Sequence, residues 1–220
     1  MKEKGYQTLR FAPENNAFYQ TLKKQVQKEL QDGDVSRFAN HFFYFKACLF
    51  LITQISLYVI LILTNNVTIA MSAMVLMGPV SIMIGINVTH DAAHGSISKN
   101  RQINRLFLEL LNLLGANAYM WKNRHVNSHH IYPNILHQDA DLKQNPLVRI
   151  FPNDTLNKYH RFQYLYAPFL YLLYTMNWLL YRDFKDFTER EIGSYRAPKH
   201  KRIELVKLIL FKTTYLGYII

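Results

Sequence analysis

Between Lys46 and Asp91 the chain carries no Asp, Glu, Lys or Arg. A helix crosses the hydrocarbon core of a bilayer in about 20 apolar residues, so the uncharged run over residues 47–90 is long enough for two crossings. Asn65 and Asn66 supply a polar turn near its middle. The run therefore predicts membrane helices over residues 45–64 and 67–88. Helices satisfy their own backbone groups, which lipid cannot do. The predicted fold class is all-α: a multi-pass membrane protein with a cytoplasmic helical region.

The formal net charge of +11 would suit a nucleic-acid partner. Lys and Arg, however, avoid the apolar run and flank it on both sides, which is the positive-inside distribution of a membrane protein. The reading is a membrane and no nucleic acid. The turn at Asn65-Asn66 has no basic residue and is placed on the far side, with the N-terminus and both flanks cytoplasmic. The first 45 residues are polar, so no cleavable signal sequence is expected. Cys48 is the single cysteine, which excludes an intramolecular disulfide and an all-Cys metal cluster.

Residues 1–45 read as a cytoplasmic leader with one amphipathic helix, capped by Asn15 or Asn16 and ended at Asp32-Gly33-Asp34. Its apolar stripe is Phe18, Leu22, Val26 and Leu30. Residues 46–220 form the membrane domain. Leu106–Leu114 is too short to span and suits a helix at the interface. Residues 162–181 are long enough, but Tyr and Trp crowd them and favour headgroup level. A crossing there would also carry Arg182, Lys185, Arg190 and Arg196 to the wrong side, so this segment reads as interfacial. A further span, cut short, begins near Leu205.

Five of the nine histidines stand in two tight groups, His90-Asp-Ala-Ala-His94 and His125-Val-Asn-Ser-His129-His130. On an α-helix, residues i and i+4 share a face, so His90 pairs with His94 and His125 with His129. His130 is turned about 100° from His129, which lets adjacent imidazoles serve two ions. A donor set rich in imidazole and poor in carboxylate suits Fe, Zn or Cu rather than Mg or Ca. Metal-bound imidazoles need acceptors for their other ring N–H. Asp91, Asn127, Asp139 and Asp141 are placed to accept, and His137 stands close enough to join them. His41, His160 and His200 read as surface or headgroup-level residues.

The segments HDAAHGSISKN and WKNRHVNSHHIYPNILHQDADL resemble the first and second histidine boxes of membrane fatty acid desaturases. The Asp inside the first box and the trailing D-x-D resemble the acyl-CoA or front-end, linoleoyl-CoA-type branch in its bacterial form. The match is specific over residues 85–145. The resemblance implies a non-haem di-iron centre, with His90, His94, His125, His129 and His130 as iron ligands. It also implies an acyl-CoA or acyl-lipid substrate, O2 as oxidant, and two electrons from a donor. The leader has no HPGG haem motif, so the donor is expected to be a separate protein. Lys99, Arg101, Arg105, Lys122 and Arg124 beside the boxes could hold coenzyme A phosphates or an acidic donor.

The family pattern also requires a third box of the form (H/Q)xxHH, whereas residues 138–220 hold only His160 and His200. The expectation is a native product that continues past Ile220, with these 220 residues inactive alone. The alternatives are a related membrane hydroxylase or ketolase, or a non-catalytic membrane protein that binds metal or a partner.

Overall fold

The computed structural model describes residues 16–136, 138–142, 146–152, 154–193, 195–196 and 199–219. Helices dominate the described residues, and the chain divides into two compact units, residues 9–110 and a second built on residues 111–220.

In the first unit α1 spans Ala17–Asp32 and ends where Gly33 N–H bonds to Glu29 O at 3.0 Å. Asn16 occupies the N-cap position, but its side chain makes no capping hydrogen bond. None of α1 is buried, so Phe18, Leu22 and Val26 lie exposed. Two caps then set the hairpin that follows. Asn40 Oδ1 accepts from Phe43 N–H at 3.1 Å to start α2, His41–Leu63. Asn66 Oδ1 accepts from Thr68 and Ile69 N–H at 2.9 and 3.2 Å to start α3, Val67–Ile84. Each side-chain oxygen satisfies first-turn donors that have no intrahelical partner.

The two helices are joined by polar rungs. Lys46 Nζ donates to Asn87 at 3.2 Å and Gln54 Nε2 to Ser81 Oγ at 3.1 Å. Elsewhere their surface is aliphatic and open: Ile52, Ile55, Ile62, Leu76 and Ile82 are all exposed. An apolar helix in the core of a soluble protein would be covered. Two such helices, one reaching from Val67 to Ala93, are long and apolar enough to cross a membrane. The first starts four residues earlier than the sequence reading placed it, at His41. The second runs past residue 88 through a π-helical turn, Gly85–Thr89, into α4, His90–Ala93. The helix α5, Arg101–Leu113, follows a tight turn held by Asn104, whose Oδ1 accepts from Ile97 and Ser98 N–H.

The second unit is built on α6, Ala118–Arg124, which Asn117 caps through Met120 N–H at 2.9 Å. A π-helical turn over His125–His129 continues it. The segment 162–181 is not one helix: α7 spans Gln163–Leu172, α8 spans Tyr174–Asn177, and a π-helical turn at Trp178–Arg182 leads into α9, Asp183–Thr188. Tyr164, Phe169 and Tyr171 project from it exposed. The final helix α10 spans Arg202–Ile219.

A two-residue ladder, β1 at Glu191–Ile192 against β2 at Tyr195–Arg196, is the departure from an all-helical chain. Ile192 packs with Met120 and Ala140, flanked by Tyr119 and Phe187. Gly193 in its turn has φ +60, and a Cβ there would meet Ser128 Oγ at 2.4 Å and Gln138 O at 2.5 Å. Only glycine allows this approach, which seats the turn on the loop behind the second histidine group.

Candidate metal centre

His90 and His94 lie where the second apolar helix ends. His90 N–H bonds back to Gly85 O, closing the π-turn, and His94 N–H bonds to His90 O at 3.3 Å. The ring centroids are 4.7 Å apart, so the expected i, i+4 pair forms. Gly95, at φ +69, turns the chain away. Ser96 closes that turn through bonds from its N–H and Oγ to Asp91 O at 3.1 and 2.9 Å. Asp91 Oδ1 stands 3.6 Å from His90 Nδ1, beside the ring but beyond direct hydrogen-bonding distance.

The second group departs from simple α-helical geometry. His125 and His129 stack with centroids 5.4 Å apart. The π-turn adds a residue to the backbone ring, so His130 N–H bonds to His125 O at 3.0 Å. That widened turn carries His130 back over His125, with their Nε2 atoms 3.0 Å apart. The two adjacent rings His129 and His130 still lie at 71° to one another. Trp121, one turn earlier, stacks on His125 at 4.5 Å and 14°.

Carboxylates hold the opposite edges of these rings. Asp139, 3% exposed, accepts from His129 Nδ1 at 2.8 Å, from Asn134 N–H at 2.9 Å and from Asp141 N–H at 2.8 Å. With its Nδ1–H donated to Asp139, His129 presents Nε2 to a metal. Asp141 Oδ2 lies 3.8 Å from His125 Nδ1 and 3.9 Å from His129 Nδ1. Burial pushes the Asp141 carboxyl up, but the facing His125 ring, the charges of Arg124 and Arg182 and the nearby His129 ring together outweigh it and hold the group below the usual carboxylate range. It is therefore ionised at neutral pH, and its attraction to the rings fades only as pH falls through that lowered value. Ser128 anchors the loop: its Oγ donates to Gln138 O at 3.1 Å and accepts from Ala140 N–H at 3.2 Å.

Asn127 Nδ2 donates to Asn123 Oδ1 at 3.2 Å. Two expectations need correction. His160 is buried, not at the surface: its Nδ1 accepts from Asn157 N–H at 3.1 Å and its Nε2 donates to Pro146 O at 2.9 Å. His200 is half-buried, 2.8 Å from Tyr119 OH and packed on Phe187, and burial lowers its pKa. His137 lies outside the described residues.

The donor atoms of His125, His129 and Asp141 lie within 4.8 Å of one another, so imidazoles and a carboxylate are gathered closely enough for a transition-metal ion. The family model of the fatty acid desaturases matches residues 65–220. The chain belongs to the fatty acid desaturase family. Acyl-lipid (8-3)-desaturase B of Dictyostelium discoideum is 28% identical over 207 residues, covering 92% of this chain and 44% of that protein. The sn-1 linoleoyl-lipid 6-desaturase of Synechocystis sp. is 32% identical over 133 residues, 60% of this chain and 37% of the relative. The protein of the same name from Arthrospira platensis is 26% identical over 196 residues, 89% and 53% respectively. The chain thus spans about half or less of the length of these relatives. No solved structure matches it. Membership of this desaturase family implies a metal cofactor, and the second histidine group has the donors to hold one.

Sequence reasoning missed Asp183, Asp186 and Lys212, and it read Arg124 as a cation for coenzyme A phosphates or an acidic donor, whereas Arg124 is buried against carboxylates. Arg124, Asp183, Asp186 and Lys212 are all at least nine-tenths buried. Periodicity cannot find such residues, because each is an ordinary charge until its distant partner is known. The one signal was charge inside apolar stretches, visible at Lys212.

Proposed function

We propose that this chain carries the metal-binding part of an acyl desaturase, with His90, His94, His125, His129 and His130 as iron ligands. The observation that carries the reading is the second histidine group. There the Nδ1 edge of His129 is pinned on buried Asp139, while His125 and His130 bring their Nε2 atoms together. Iron held there, with O2 and two electrons from a separate donor protein, would supply the oxidant for an unactivated methylene. The overall change converts two adjacent methylenes, O2, two electrons and two protons into a CH=CH unit and two molecules of water.

The chain's own residues have three tasks in this reading. Asp139 and Asp141 orient the rings through their Nδ1 edges. The aliphatic surfaces of α2 and α3 keep the acyl chain among apolar side chains and water out. Lys99, Arg101 and Arg105 provide cations for the polar end of the acyl carrier or for the donor protein. The relatives reported above are named as desaturases, so the hydroxylase and ketolase alternatives gain no support from them.

The deciding experiment is fatty-acid profiling of a host expressing the complete reading frame. A new unsaturated acyl species is expected, and it should disappear with His129→Ala. An unchanged profile alongside abundant membrane-inserted, iron-loaded protein would rule out the desaturase reading.

The same proposal sets the topology: N-terminus and both histidine groups cytoplasmic, Asn65-Asn66 on the far side. In a Cys48→Ser background, Asn66→Cys should react with an impermeant thiol reagent added from outside. Lys99→Cys should react only after the membrane is opened. The reverse pattern would overturn the orientation.

A further inference from the structure

Behind the second histidine group lies a row of buried charges that alternates in sign. Lys212 on α10 donates to Asp183 Oδ2 at 2.7 Å and to Gly115 O at 2.7 Å. Asp183 also accepts from Asn117 N–H and Trp178 Nε1, each at 2.9 Å. Its Oδ1 is 3.9 Å from Arg124 Nη2, and Arg124 Nη1 bonds to Asp186. On its other edge, Arg124 Nε is 3.7 Å from Asp141 Oδ1. Arg182 Nη2 reaches the same Asp141 oxygen at 3.6 Å.

Asp141 therefore divides its two oxygens. Oδ1 faces Arg124 and Arg182, while Oδ2 faces the Nδ1 atoms of His125 and His129. We propose that Arg124 and Arg182 are positioning residues for the metal centre: they hold Asp141 as an acceptor beside the histidine rings, and Asp183, Asp186 and Lys212 hold Arg124. This rests on the metal-binding reading above.

Three features favour that role over scaffolding alone. Buried ion pairs are often replaceable by apolar packing with no loss of stability, so stability is a weak reason for a network this deep. Three cations, Lys212, Arg124 and Arg182, balance three carboxylates, Asp183, Asp186 and Asp141, within the row itself. Finally, Asp141 is itself close enough to His125 and His129 to join a metal as a ligand. With Oδ1 occupied by two guanidinium groups, the carboxylate is restrained from swinging that way. Outer groups that orient metal-binding histidines typically change affinity by about 10–100-fold when removed.

The test uses the purified chain in detergent and Co²⁺ as the probe, read by its visible absorption bands. Arg182→Gln and Asp186→Asn should each weaken Co²⁺ binding by about 10–100-fold and change the band pattern. Arg182→Lys should recover part of the affinity. Arg182 is less buried than Arg124 and stands at the end of the row, so Arg182→Gln should keep the fold and its thermal midpoint. Asp141→Asn should shift the bands as well, and adding Arg182→Gln to it should produce no further change, because the arginine acts through that carboxylate. Unchanged affinity and bands in both Arg182→Gln and Asp186→Asn would reduce the network to scaffolding and overturn the inference. If the unsubstituted chain takes up no Co²⁺, the metal reading itself fails and this inference falls with it.

Discussion

Replacing His125, His129 and His130 together with Ala is expected to bring bound iron down to background while the chain keeps its helical content. The rings occupy one π-turn and its first following residue, and they contribute donors more than packing: His130 is exposed and His125 and His129 are half-buried. The loop that carries their partners does not depend on them. Asp139 still accepts from Asn134 and Asp141 N–H, and Ser128 still ties Gln138 to Ala140. The expected loss is therefore specific to metal. Iron per chain after purification in detergent is the measurement, with far-ultraviolet circular dichroism as the check on folding. An iron content equal to that of the unsubstituted chain would end the assignment. His129→Ala alone should have a larger effect than Asp139→Asn. The first deletes a donor, while the second leaves an amide oxygen that can still accept from the ring.

The legible parts of this chain were those written in local composition. The uncharged run over residues 47–90 and the Asn65-Asn66 break are enough to place α2 and α3, because lipid tolerates little else at that length. The i, i+4 pairs His90–His94 and His125–His129 also follow from spacing, and the structure brings each pair together. The π-turns at Gly85–Thr89 and His125–His129 were not legible. Sequence periodicity assumes 3.6 residues per turn, and a single widened turn leaves no compositional mark. That is why the approach of His130 to His125 could not be foreseen, while its divergence from His129 could. The segment 162–181 looked continuous because its apolar content is continuous, yet the chain breaks near Leu173. The buried charge row was the hardest to foresee, since Arg124 meets partners that lie some sixty residues further along the chain.

Lys212→Met is expected to destabilise the chain by about 3–5 kcal/mol, the usual consequence of leaving a buried charge without its partner. Lys212 stands inside an otherwise apolar stretch of α10, and its ammonium is enclosed by Asp183, Gly115 O and Trp178 O. Removing it strands a carboxylate that is fully buried. Asp183→Asn should cost a comparable amount, because it strands the ammonium and weakens the hold on Arg124. The double variant should cost much less than the sum of the two, since it removes both charges and keeps an amide oxygen for Asn117 N–H or Trp178 Nε1. The Lys185–Glu189 pair is half-exposed at 3.8 Å and provides the comparison; its deletion should cost only about 0.3–0.5 kcal/mol. Denaturant unfolding in detergent, followed by tryptophan fluorescence, measures all four variants. Trp178 donates to Asp183, so its emission reports on the pair directly. Additive single and double costs of the size seen for Lys185–Glu189 would mean that the pair is solvated rather than buried. Strong non-additivity would instead tie α10 to α9 through one desolvated contact, joining the end of the described chain to the row of charges that leads back to Asp141 and the histidines.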